Sequence, residues 1–401
     1  MTQAPNPPAV ITSYIDGQWQ PAGTQLLDIV NPATGQVVSR LSEADAEETA
    51  RAVEAGHEVV GVHLALSRNS GTLRTGSRGC CTIEDSMDAQ RVSALLGIKY
   101  FVWDFSERFK LDVVDNFIEE YQAGRTPNPC MRCNEKIKFA ALLEKALALG
   151  FDAVCTGHYA TIEEHDGNLE LHRSPATAKD QSYVLGVLTK EELKHVLFPI
   201  GAESDKATIR AEAESRGLAV AQKPDSYDIC FIPDGDTQGW LGDKLEDKPG
   251  NIVDRNGNVL SDHTGTHNYT VGQRKGLHIE RPAKDGKPRY VLEIKPVTRE
   301  VVVGPQAALA VKELAGTRFT WCGEAPKNPE LPFEAEVQVR AHAEPVKCIA
   351  QLVNNELKTI THEPILGVAP GQTAVIYVGT RVLGQFTIER TVSAVAPGDD
   401  E

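Results

Sequence analysis

The sequence predicts a mixed α/β protein in which an open parallel sheet is followed by a β-rich barrel. From about residue 50, apolar strands alternate with amphipathic helices, and several of those helices end at a glycine. From about residue 250, short alternating strands are separated by Gly, Asn and Pro turns. The first pattern is typical of a parallel sheet with helices on both faces, and the second of a small barrel or sandwich.

The first half of the chain supplies the elements of the predicted parallel sheet. Apolar runs indicate strands, and residues recurring at helical spacing before a glycine indicate helices. The strands are EVVGVHLAL, YFVWDF and FDAVCTG, and the helices are CTIEDSMDAQRVSALLG, FKLDVVDNFIEEYQAG and NEKIKFAALLEKALALG. Because ligands of such sheets bind at the carboxyl ends of the strands, we expect the functional residues there.

The second half supplies the elements of the predicted barrel. Residues 205–217 are predicted to form a helix, and DSYDICFIP is predicted to form a strand. The short strands then follow in GNIVDRNGNVL, RYVLEIKPVTREVVVG, FEAEVQVRAHA and GQTAVIYVGTRVLGQFTIERTV. Their alternation of apolar and polar residues indicates one buried face in each strand.

Composition limits the classes of protein that fit. The 401 residues, 41% of them hydrophobic, suffice for two or three domains. No window approaches the ~18 apolar residues of a membrane span, and the start MTQAPNPPAV lacks a signal-peptide pattern, so we expect a cytoplasmic protein with no membrane partner. Eight dispersed cysteines indicate reduced thiols. The net charge of −15 argues against a nucleic-acid partner, but basic clusters at Lys136 and Lys138 and at Arg274 and Lys275 permit an RNA-binding face.

The stretch TPNPCMRCNEKIKF, residues 126–139, contains a Cys-x-x-Cys pair that admits three interpretations. A structural zinc site needs four ligands, and no second pair follows at the usual interval. A redox couple would stand at a helix start after a strand. The third interpretation is a single working thiol. Pro127 and Pro129 favour extended backbone before them, so we expect a rigid loop that enters a helix at about Asn134. A helix start favours thiolate, which makes Cys133 better placed than Cys130.

Several long motifs resemble one enzyme family. They are GRTPNPCMRCNEKIKFAALLEKA, TGHYA, KDQSYVL, LFPIG, KPDSYDICFIP, YTVGQRKGL and APGQTAVIY. Together they are similar to the bacterial tRNA-specific 2-thiouridylases, also called tRNA-uridine 2-sulfurtransferases, from about Ala50 to about Arg390. GTLRTGSRGCCTIEDSMDAQ resembles the actinobacterial branch, so Cys80 and Cys81 are a feature of that branch.

The resemblance implies a fold and a division into domains. It implies an adenine-nucleotide α-hydrolase-like (PP-loop ATPase) domain, a small central domain and a C-terminal β-barrel. The predicted ranges are 50–204, 205–283 and 284–398, after a foreign segment at 1–49.

The resemblance also implies a mechanism. ATP, with Mg²⁺ as its counter-ion, activates the C2 oxygen of the wobble uridine of tRNA as an adenylate, and AMP and pyrophosphate are released. Cys230 carries a persulfide, received from a cysteine desulfurase or a sulfur-relay protein. Cys133 is the second active cysteine, a nucleophile able to form a transient disulfide with Cys230. No resident metal and no tightly bound cofactor are expected.

Further site residues follow from matching positions. Leu64 and Gly157 match positions near the nucleotide. Positions that match tRNA contacts are Asn128, Pro129 and Cys130 beside the target base, and His158, Lys179, Asp180, Gln181 and Gln372. From the residues alone, His158 fits equally well as a satisfied histidine at a strand end, and Cys230 fits better as a core cysteine.

One departure from the family pattern affects the nucleotide site. The family's first strand and Ser-Gly-Gly-x-Asp-Ser loop, whose N–H groups bind the ATP phosphates, are missing from this sequence. Upstream, SYIDGQWQPAGTQLLDIVNPATGQVVSRLSEADAEE resembles the amino-terminal segment of an aldehyde dehydrogenase without the remainder of that enzyme, so we expect no dehydrogenase activity. Two alternatives to an impaired sulfurtransferase therefore stay open: a non-catalytic tRNA-binding remnant or fusion product, and a zinc- or cluster-bearing RNA module using Cys130 and Cys133.

We predict that the chain binds ATP poorly. Loss of the phosphate loop removes several charge-assisted hydrogen bonds, each contributing about 1.5–3 kcal/mol. Isothermal titration with ATP, alongside a family member that retains the loop, measures the difference. Equal affinity of the two proteins would contradict the prediction.

Overall fold

The structure of the chain, a computed structural model, describes most of the sequence after residue 57. The described ranges are 58–67, 83–223, 229–232, 234–279 and 286–395, with the backbone of five short strands before residue 43. The chain forms two compact units, Met1–Val62 with Ser93–Phe101, and His63–Val92 with Val102–Glu401. Cys80, Cys81, the glycine-bearing run 71–79 and residues 224–228 lie outside the described residues.

The first unit contains two small sheets. In the larger sheet, Val37–Ser42 pairs in parallel with Ala9–Ile11 and antiparallel with Leu26–Val30. In the smaller, Tyr14–Ile15 pairs antiparallel with Gln18–Trp19. Among the described residues before residue 43 all elements are strands. The secondary structure of this segment thus differs from the β-α alternation that follows.

Two strand pairs and the helices between them form the α/β part of the chain. Val60–Ala65 pairs with Lys99–Asp104, and helix Ile83–Leu96 lies between them in sequence. Val154–Cys155 pairs in parallel with Val196–Leu197. These elements agree with the predicted α/β class. Among the described residues the two pairs belong to separate sheets.

A continuous helix over residues 106–122 follows the strand that ends at Asp104. The Asp104 carboxylate accepts hydrogen bonds from the Ser106 N–H at 2.9 Å and the Ser106 hydroxyl at 2.5 Å, so one N–H of the first turn has a side-chain acceptor. The helix consists of Ser106–Phe109, a π-helical Lys110–Asp115, and Asn116–Gln122. It ends as predicted at a glycine, Gly124, whose φ of 71° is left-handed.

A second continuous helix, over residues 129–148, carries the Cys-x-x-Cys pair. It consists of Pro129–Cys133, a π-helical Asn134–Ala141, and Leu142–Ala148. The prediction of a loop up to Asn134 is wrong. Asn128 is extended, as expected before a proline, but its side chain accepts from the Met131 N–H at 3.1 Å and acts as the N-cap. Proline is favoured at the first helical position, so Pro129 begins the helix.

The central part of the chain is a four-stranded sheet. Its strand order is Val259–His263, Gly250–Val253, Glu300–Gly304 and Tyr290–Lys295, and the two inner strands run parallel. Its apolar core includes Ile252, Val291 and Val301, each fully buried. Tyr269, from the YTVGQRKGL motif, packs into the same core.

The C-terminal sheet has ten strands and extends beyond the predicted barrel region. Its order is Arg390–Ser393, Ala310–Gly316, Glu356–Leu366, Val346–Val353, Phe333–Gln338, Thr373–Val378, Arg381–Thr387, Asn168–Arg173 and Ala160–His165, with Phe319–Trp321 also paired to Arg381–Thr387. The hairpin 160–173 was assigned by sequence to the nucleotide-binding domain. It joins this sheet through His172, which pairs with Arg381.

One apolar core connects the α/β part to this sheet. Met131 and Phe139 of the 129–148 helix are buried in it with Leu171 of the hairpin. Val375 and Tyr377 of the C-terminal strands lie in the same cluster. The helix that carries the cysteines is therefore fixed against the barrel strands.

Short helices connect the remaining strands. They are Thr177–Lys179, Ser182–Leu185, Lys190–Leu193, Lys206–Ser215, Ala219–Gln222, Thr237–Gly242, Thr266–Asn268 and Gln306–Leu309. The helix predicted over 205–217 is thus observed with slightly shorter bounds. Over the described ranges, none of the helices combines the length and the apolar character required to span a bilayer.

We predict that Asn128→Ala loosens the start of the 129–148 helix. Removal of an N-cap side chain typically costs about 1 kcal/mol. Hydrogen exchange of the Met131 amide should accelerate about fivefold, in line with that free energy. Asn128→Ser retains a capping oxygen and is the control. Exchange that is equally fast in both variants would show that the cap does not hold this turn.

Candidate active site

The two cysteines of the Cys-x-x-Cys pair have different environments. Cys130 is exposed, whereas Cys133 is buried at 8% exposure. Both lie in the first five residues of the helix, and Cys130 is nearer to its start. The prediction that Cys133 is better placed than Cys130 because it is nearer to the helix start is therefore wrong. What distinguishes Cys133 is its burial, which shields a thiol from solvent and from unspecific oxidation.

Asn134 and Arg132 fix the orientation of the cysteine-bearing turn. The Asn134 side chain is buried at 2% exposure and donates from Nδ2 to the Val184 carbonyl at 2.9 Å. On the other side, Arg132 Nε donates to the Asp112 carbonyl of the 106–122 helix at 3.0 Å. The turn is thus held by hydrogen bonds on two sides.

Cys230 lies in a turn and is half-buried. The Ile232 N–H donates to the Ile229 carbonyl at 2.9 Å. The prediction of a strand is wrong for the described residues 229–232, because a turn lets Phe231 enter an aromatic cluster. The Phe231 ring centroid lies 5.9 Å from that of Phe109, 5.3 Å from that of Phe117 and 5.3 Å from that of Trp240. Phe231 therefore anchors the Cys230 turn to the 106–122 helix.

The segments that carry the two predicted active cysteines both contact the 106–122 helix. The 106–122 helix accepts a hydrogen bond from Arg132, next to Cys133, and packs against Phe231, next to Cys230. Two elements 97 positions apart in sequence, 133 to 230, are brought to the same helix.

The TGHY motif follows the strand Val154–Cys155. His158 is 8% exposed, and its Nδ1 lies 2.8 Å from Thr156 Oγ1. Its ring packs between Phe139 and Phe198, with centroids at 6.0 and 5.9 Å. Burial lowers the pKa of His158 to about 3, with a smaller contribution from Lys138, so the imidazole is neutral near pH 7. A neutral, packed ring cannot attract a phosphate by charge.

In the Lys-Asp-Gln stretch, residues 179–181, the side chains of Asp180 and Gln181 form hydrogen bonds with other groups of the protein. Asp180 Oδ1 accepts from the Ser174 and Ser182 N–H groups at 3.0 and 3.2 Å. Asp180 Oδ2 accepts from Arg173 at 3.0 Å and from the Ser182 hydroxyl at 2.8 Å. Both carboxylate oxygens are therefore satisfied internally.

Gln181 connects this stretch to the TGHY motif. Its Oε1 accepts from the Tyr159 N–H at 3.0 Å, and its own N–H donates to the Tyr159 carbonyl at 2.8 Å. Lys179 is half-buried. Of the three residues predicted to contact tRNA here, two have side chains that position neighbouring loops.

Gln372 lies in a loop that touches the segment preceding the cysteines. Its Oε1 accepts from the Ala369 N–H at 3.0 Å, and the Thr126 N–H donates to the Pro370 carbonyl at 2.8 Å. Gly371, with φ of 90°, allows this approach, because a Cβ there would lie 2.8 Å from the Thr126 nitrogen. The structure therefore places the Gln372 loop beside Asn128 and Pro129.

A small polar cavity adjoins Asn128. Its volume is about 70 Å³, and Glu120, Arg132 and Arg318 are among its lining residues. Burial alone would raise the pKa of Glu120, but the Arg125 guanidinium, at 2.6 Å, outweighs it and holds that pKa below its usual range. Sequence reasoning missed this pair, because Glu120 occurs in a helical run of acids without a distinguishing motif.

The residues predicted to be near the nucleotide lie at strands of the α/β part. Leu64 is half-buried on Val60–Ala65, and Gly157 follows Val154–Cys155. A Cβ at Gly157 would meet only Ile200 Cδ1, at 3.8 Å. The position thus leaves space on its other sides within the described residues.

Comparison with known proteins connects these features to a family. Three family models match in order along the chain: a tRNA methyl transferase HUP domain at 38–234, a tRNA methyl transferase PRC-barrel domain at 238–305, and an aminomethyltransferase beta-barrel domain at 311–388. The chain is 67% identical over 347 residues to the tRNA-specific 2-thiouridylase MnmA of Leifsonia xyli subsp. xyli, covering 86% of this chain and 95% of the relative. The chain belongs to the tRNA-specific 2-thiouridylase family.

Other relatives in the 2-thiouridylase family extend the match. Those of Kocuria rhizophila and Streptomyces avermitilis, also named tRNA-specific 2-thiouridylase MnmA, are 63% and 60% identical over 355 and 352 residues. These alignments cover 85% and 86% of this chain and 93% of each relative. The order of HUP domain, central barrel and C-terminal β-barrel confirms the predicted fold class. The HUP match begins at residue 38, inside the segment for which we predict a foreign origin.

We predict that His158 makes the stability of this 2-thiouridylase pH-dependent. Because its folded pKa of about 3 lies below the usual 6.5, the unfolded chain takes up a proton first as the pH falls. The contribution to the free energy of unfolding is complete above pH 6.5. It then declines towards pH 3 by up to about 1.4 kcal/mol per pH unit.

Urea unfolding between about pH 7 and about pH 4.5 measures this slope. His158→Gln should flatten it, whereas His165→Gln, which replaces an exposed histidine, should leave it unchanged. A slope that is the same in the His158→Gln variant and the unaltered chain would contradict the assignment.

Proposed function

We propose that the chain catalyses ATP-dependent 2-thiolation of the wobble uridine of tRNA. The observation that carries the proposal is the alignment with relatives named tRNA-specific 2-thiouridylase over 93–95% of their length at 60–67% identity. The arrangement of Cys133 and Cys230 around one helix supports it, because the reaction needs two thiols that can meet.

The proposed chemistry begins with activation of the uracil. The C2 oxygen attacks the α-phosphorus of ATP, and pyrophosphate leaves. The terminal sulfur of a Cys230 persulfide then attacks C2, and the C2–O bond breaks as AMP leaves with its electron pair. Adenylation is needed because a carbonyl oxygen is a poor leaving group, whereas AMP is a good one.

Cys133 completes the transfer in this proposal. Its thiolate attacks Cys230 Sγ, forms the Cys133–Cys230 disulfide and leaves the sulfur on C2 as 2-thiouridine. A thiol reductant then restores both cysteines. The sulfur is supplied by a cysteine desulfurase, directly or through a sulfur-relay protein.

The nucleotide and metal are treated as substrates in this proposal. ATP suits the HUP domain, and Leu64 and Gly157 would lie beside it. Across the described part of the chain, no group of three or more His, Cys, Asp or Glu side chains could hold a metal ion. In this proposal Mg²⁺ arrives on the ATP phosphates.

The tRNA-facing residues divide into two groups in this proposal. Asn128, Pro129 and Cys130 would lie beside the target base, and Lys179 and Gln372 would contact the RNA. Asp180, Gln181 and His158 would act through the loops they hold, because both Asp180 carboxylate oxygens, Gln181 Oε1 and His158 Nδ1 lie within hydrogen-bond distance of protein groups. A reaction on tRNA with ATP would take place in the cytoplasm.

The proposed domains follow the predicted ranges, with one qualification from the sheet. We propose a foreign segment at 1–49, a nucleotide-binding domain at 50–204, a central domain at 205–283 and a barrel at 284–398. The hairpin 160–173 belongs to the first of these domains by sequence and to the barrel sheet by hydrogen bonding.

A non-catalytic tRNA-binding protein is the second candidate. The missing Ser-Gly-Gly-x-Asp-Ser loop favours it, because a chain without a phosphate site would retain its RNA-facing surfaces but lose adenylation. Nucleoside mass spectrometry of tRNA incubated with the chain, ATP and a sulfur donor separates the two candidates. Formation of 2-thiouridine supports the enzyme, and its absence together with tRNA binding supports the remnant.

We predict that Cys230→Ser abolishes persulfide loading. Mass spectrometry of the intact chain after incubation with a cysteine desulfurase and cysteine should show a gain of one sulfur atom. This gain should persist in Cys133→Ser and disappear in Cys230→Ser, because only Cys230 holds the donor sulfur. The measurement does not require ATP.

Cys348→Ala is the matched control for loss of a cysteine. Cys348 is fully buried in the C-terminal barrel, where burial raises the pKa of its thiol to about 12. Loading should be unchanged in this variant. A gain of sulfur that survives Cys230→Ser would refute the role given to Cys230.

A further inference from the structure

Two aspartates of the helix Ile83–Leu96 form ion pairs with a lysine that is remote in sequence. Lys223 Nζ lies 2.6 Å from Asp85 Oδ1 and 2.7 Å from Asp88 Oδ2, and 138 and 135 positions separate the partners. Both aspartates belong to the stretch GTLRTGSRGCCTIEDSMDAQ, which has no part in the sulfur transfer proposed above. The ion pairs connect this stretch to the segment that precedes Cys230.

The geometry favours one lysine shared by two carboxylates. Asp85 and Asp88 are three positions apart on one helix, so their side chains lie on the same face and repel one another unless a cation lies between them. Arg91 Nη1 donates to the other oxygen of Asp88 at 3.2 Å, but Arg91 is 68% exposed. The side chains of Lys223 and the two aspartates are only 23–39% exposed, so solvent screens their ion pairs less.

The Lys223 ammonium group keeps its charge over a wide pH range. Burial alone would lower the pKa of Lys223, but the Asp85 and Asp88 carboxylates outweigh burial and raise that pKa above its usual value. Lys223 is therefore protonated through the neutral range and into the alkaline range where thiols titrate. Salt rather than pH is the variable that weakens these ion pairs.

The backbone of Lys223 is held as well. Its N–H donates to the Val220 carbonyl at 3.0 Å, and its own carbonyl accepts from Arg210 Nη2 at 3.0 Å. Val220 lies in the short helix Ala219–Gln222, and Arg210 in the helix Lys206–Ser215. Lys223 is thus a fixed point at which these helices are joined to the two aspartates.

Lys223 is seven positions before Cys230 in the sequence. A span of that length reaches at most about 25 Å, so the place at which Lys223 is held limits where Cys230 can lie. On the other side of Cys230, Phe231 packs against Phe109 and Phe117. Cys230 is therefore held between an aromatic contact directly after it and the Lys223 ion pairs before it.

We propose that Lys223, through its ion pairs with Asp85 and Asp88, is a positioning residue that holds Cys230 within reach of Cys133. The inference rests on the proposed function, in which these two thiols meet. It assigns to Lys223 no contact with ATP, with the uridine or with the persulfide sulfur.

The test is the equilibrium between the two thiols and their disulfide in the full chain, set by a glutathione buffer. The Cys133 and Cys230 thiols give two electrons and two protons to one oxidised glutathione, which becomes two reduced molecules. Peptide mass spectrometry of the quenched mixture measures the fraction of chains that contain the Cys133–Cys230 disulfide. The equilibrium constant is the effective concentration of one thiol at the other.

Lys223→Met, which removes the charge but keeps a long side chain, should lower this effective concentration about fivefold. That is the loss expected from two partly exposed ion pairs. Lys223→Arg retains a cation at the same position and should restore most of the effective concentration. Urea unfolding of each variant shows whether the loss exceeds any change in overall stability.

Salt and a double-mutant cycle separate positioning from a general loss of structure. Between about 0.05 M and about 0.5 M NaCl, the effective concentration should fall more steeply in the unaltered chain than in Lys223→Met, because only the unaltered chain has ion pairs to screen. In the background Asp85→Asn with Asp88→Asn, Lys223→Met should cause no further loss, because its partners are already absent.

Lys190→Met is the matched control. Lys190 forms an ion pair with Glu324, 134 positions away, and both side chains are about half exposed. Its loss should leave the effective concentration unchanged. Equal values in Lys223→Met and the unaltered chain, or equal losses in Lys223→Met and Lys190→Met, would overturn the inference alone. Absence of any Cys133–Cys230 disulfide in the unaltered chain would overturn the proposed meeting of the two thiols and the inference together.

Discussion

The packing around the 106–122 helix is the constraint on which the arrangement of the two cysteines depends. One side of this helix accepts the Arg132 hydrogen bond, and buried Phe109 and Phe117 receive Phe231. Each cysteine is thus next to a residue that is anchored on the same rigid element. The 129–148 helix is also fixed to the barrel through Met131 and Phe139.

Much of the fold could be predicted from local patterns, and the errors occurred where local patterns were ambiguous. Helical spacing and terminal glycines predicted the 106–122 helix and its end near Gly124. The two prolines before Cys130 indicated a loop, but proline is also common at the first position of a helix. The Asn128 N-cap shows that a helix begins here. Apolar residues around Cys230 indicated a strand, because an aromatic side chain reaching into a distant cluster leaves the same sequence pattern.

The family resemblance names the residues of the candidate site, but local sequence does not show which protein groups their side chains bind. Family resemblance selected Asp180, Gln181 and His158 as RNA contacts, whereas their hydrogen bonds in the structure are to neighbouring loops. These hydrogen bonds are made to residues that are remote in sequence or to backbone groups. Neither kind of partner produces a recognisable sequence motif. Arg173, which donates to Asp180, also contacts Gln338 and Tyr377, and both of these residues lie more than 150 positions away.

The attachment of the 160–173 hairpin to the C-terminal sheet has a consequence for how the chain is made. His172 Nδ1 and Thr380 Oγ1 lie 2.9 Å apart although 208 positions separate them. At about 5–20 residues per second, a ribosome needs some 10–40 seconds to add that length. Throughout that interval the partner strand of the nascent hairpin has not been synthesised, so this sheet edge is completed only once Arg381–Thr387 has left the ribosome. Separate expression of the halves would leave each with an open sheet edge.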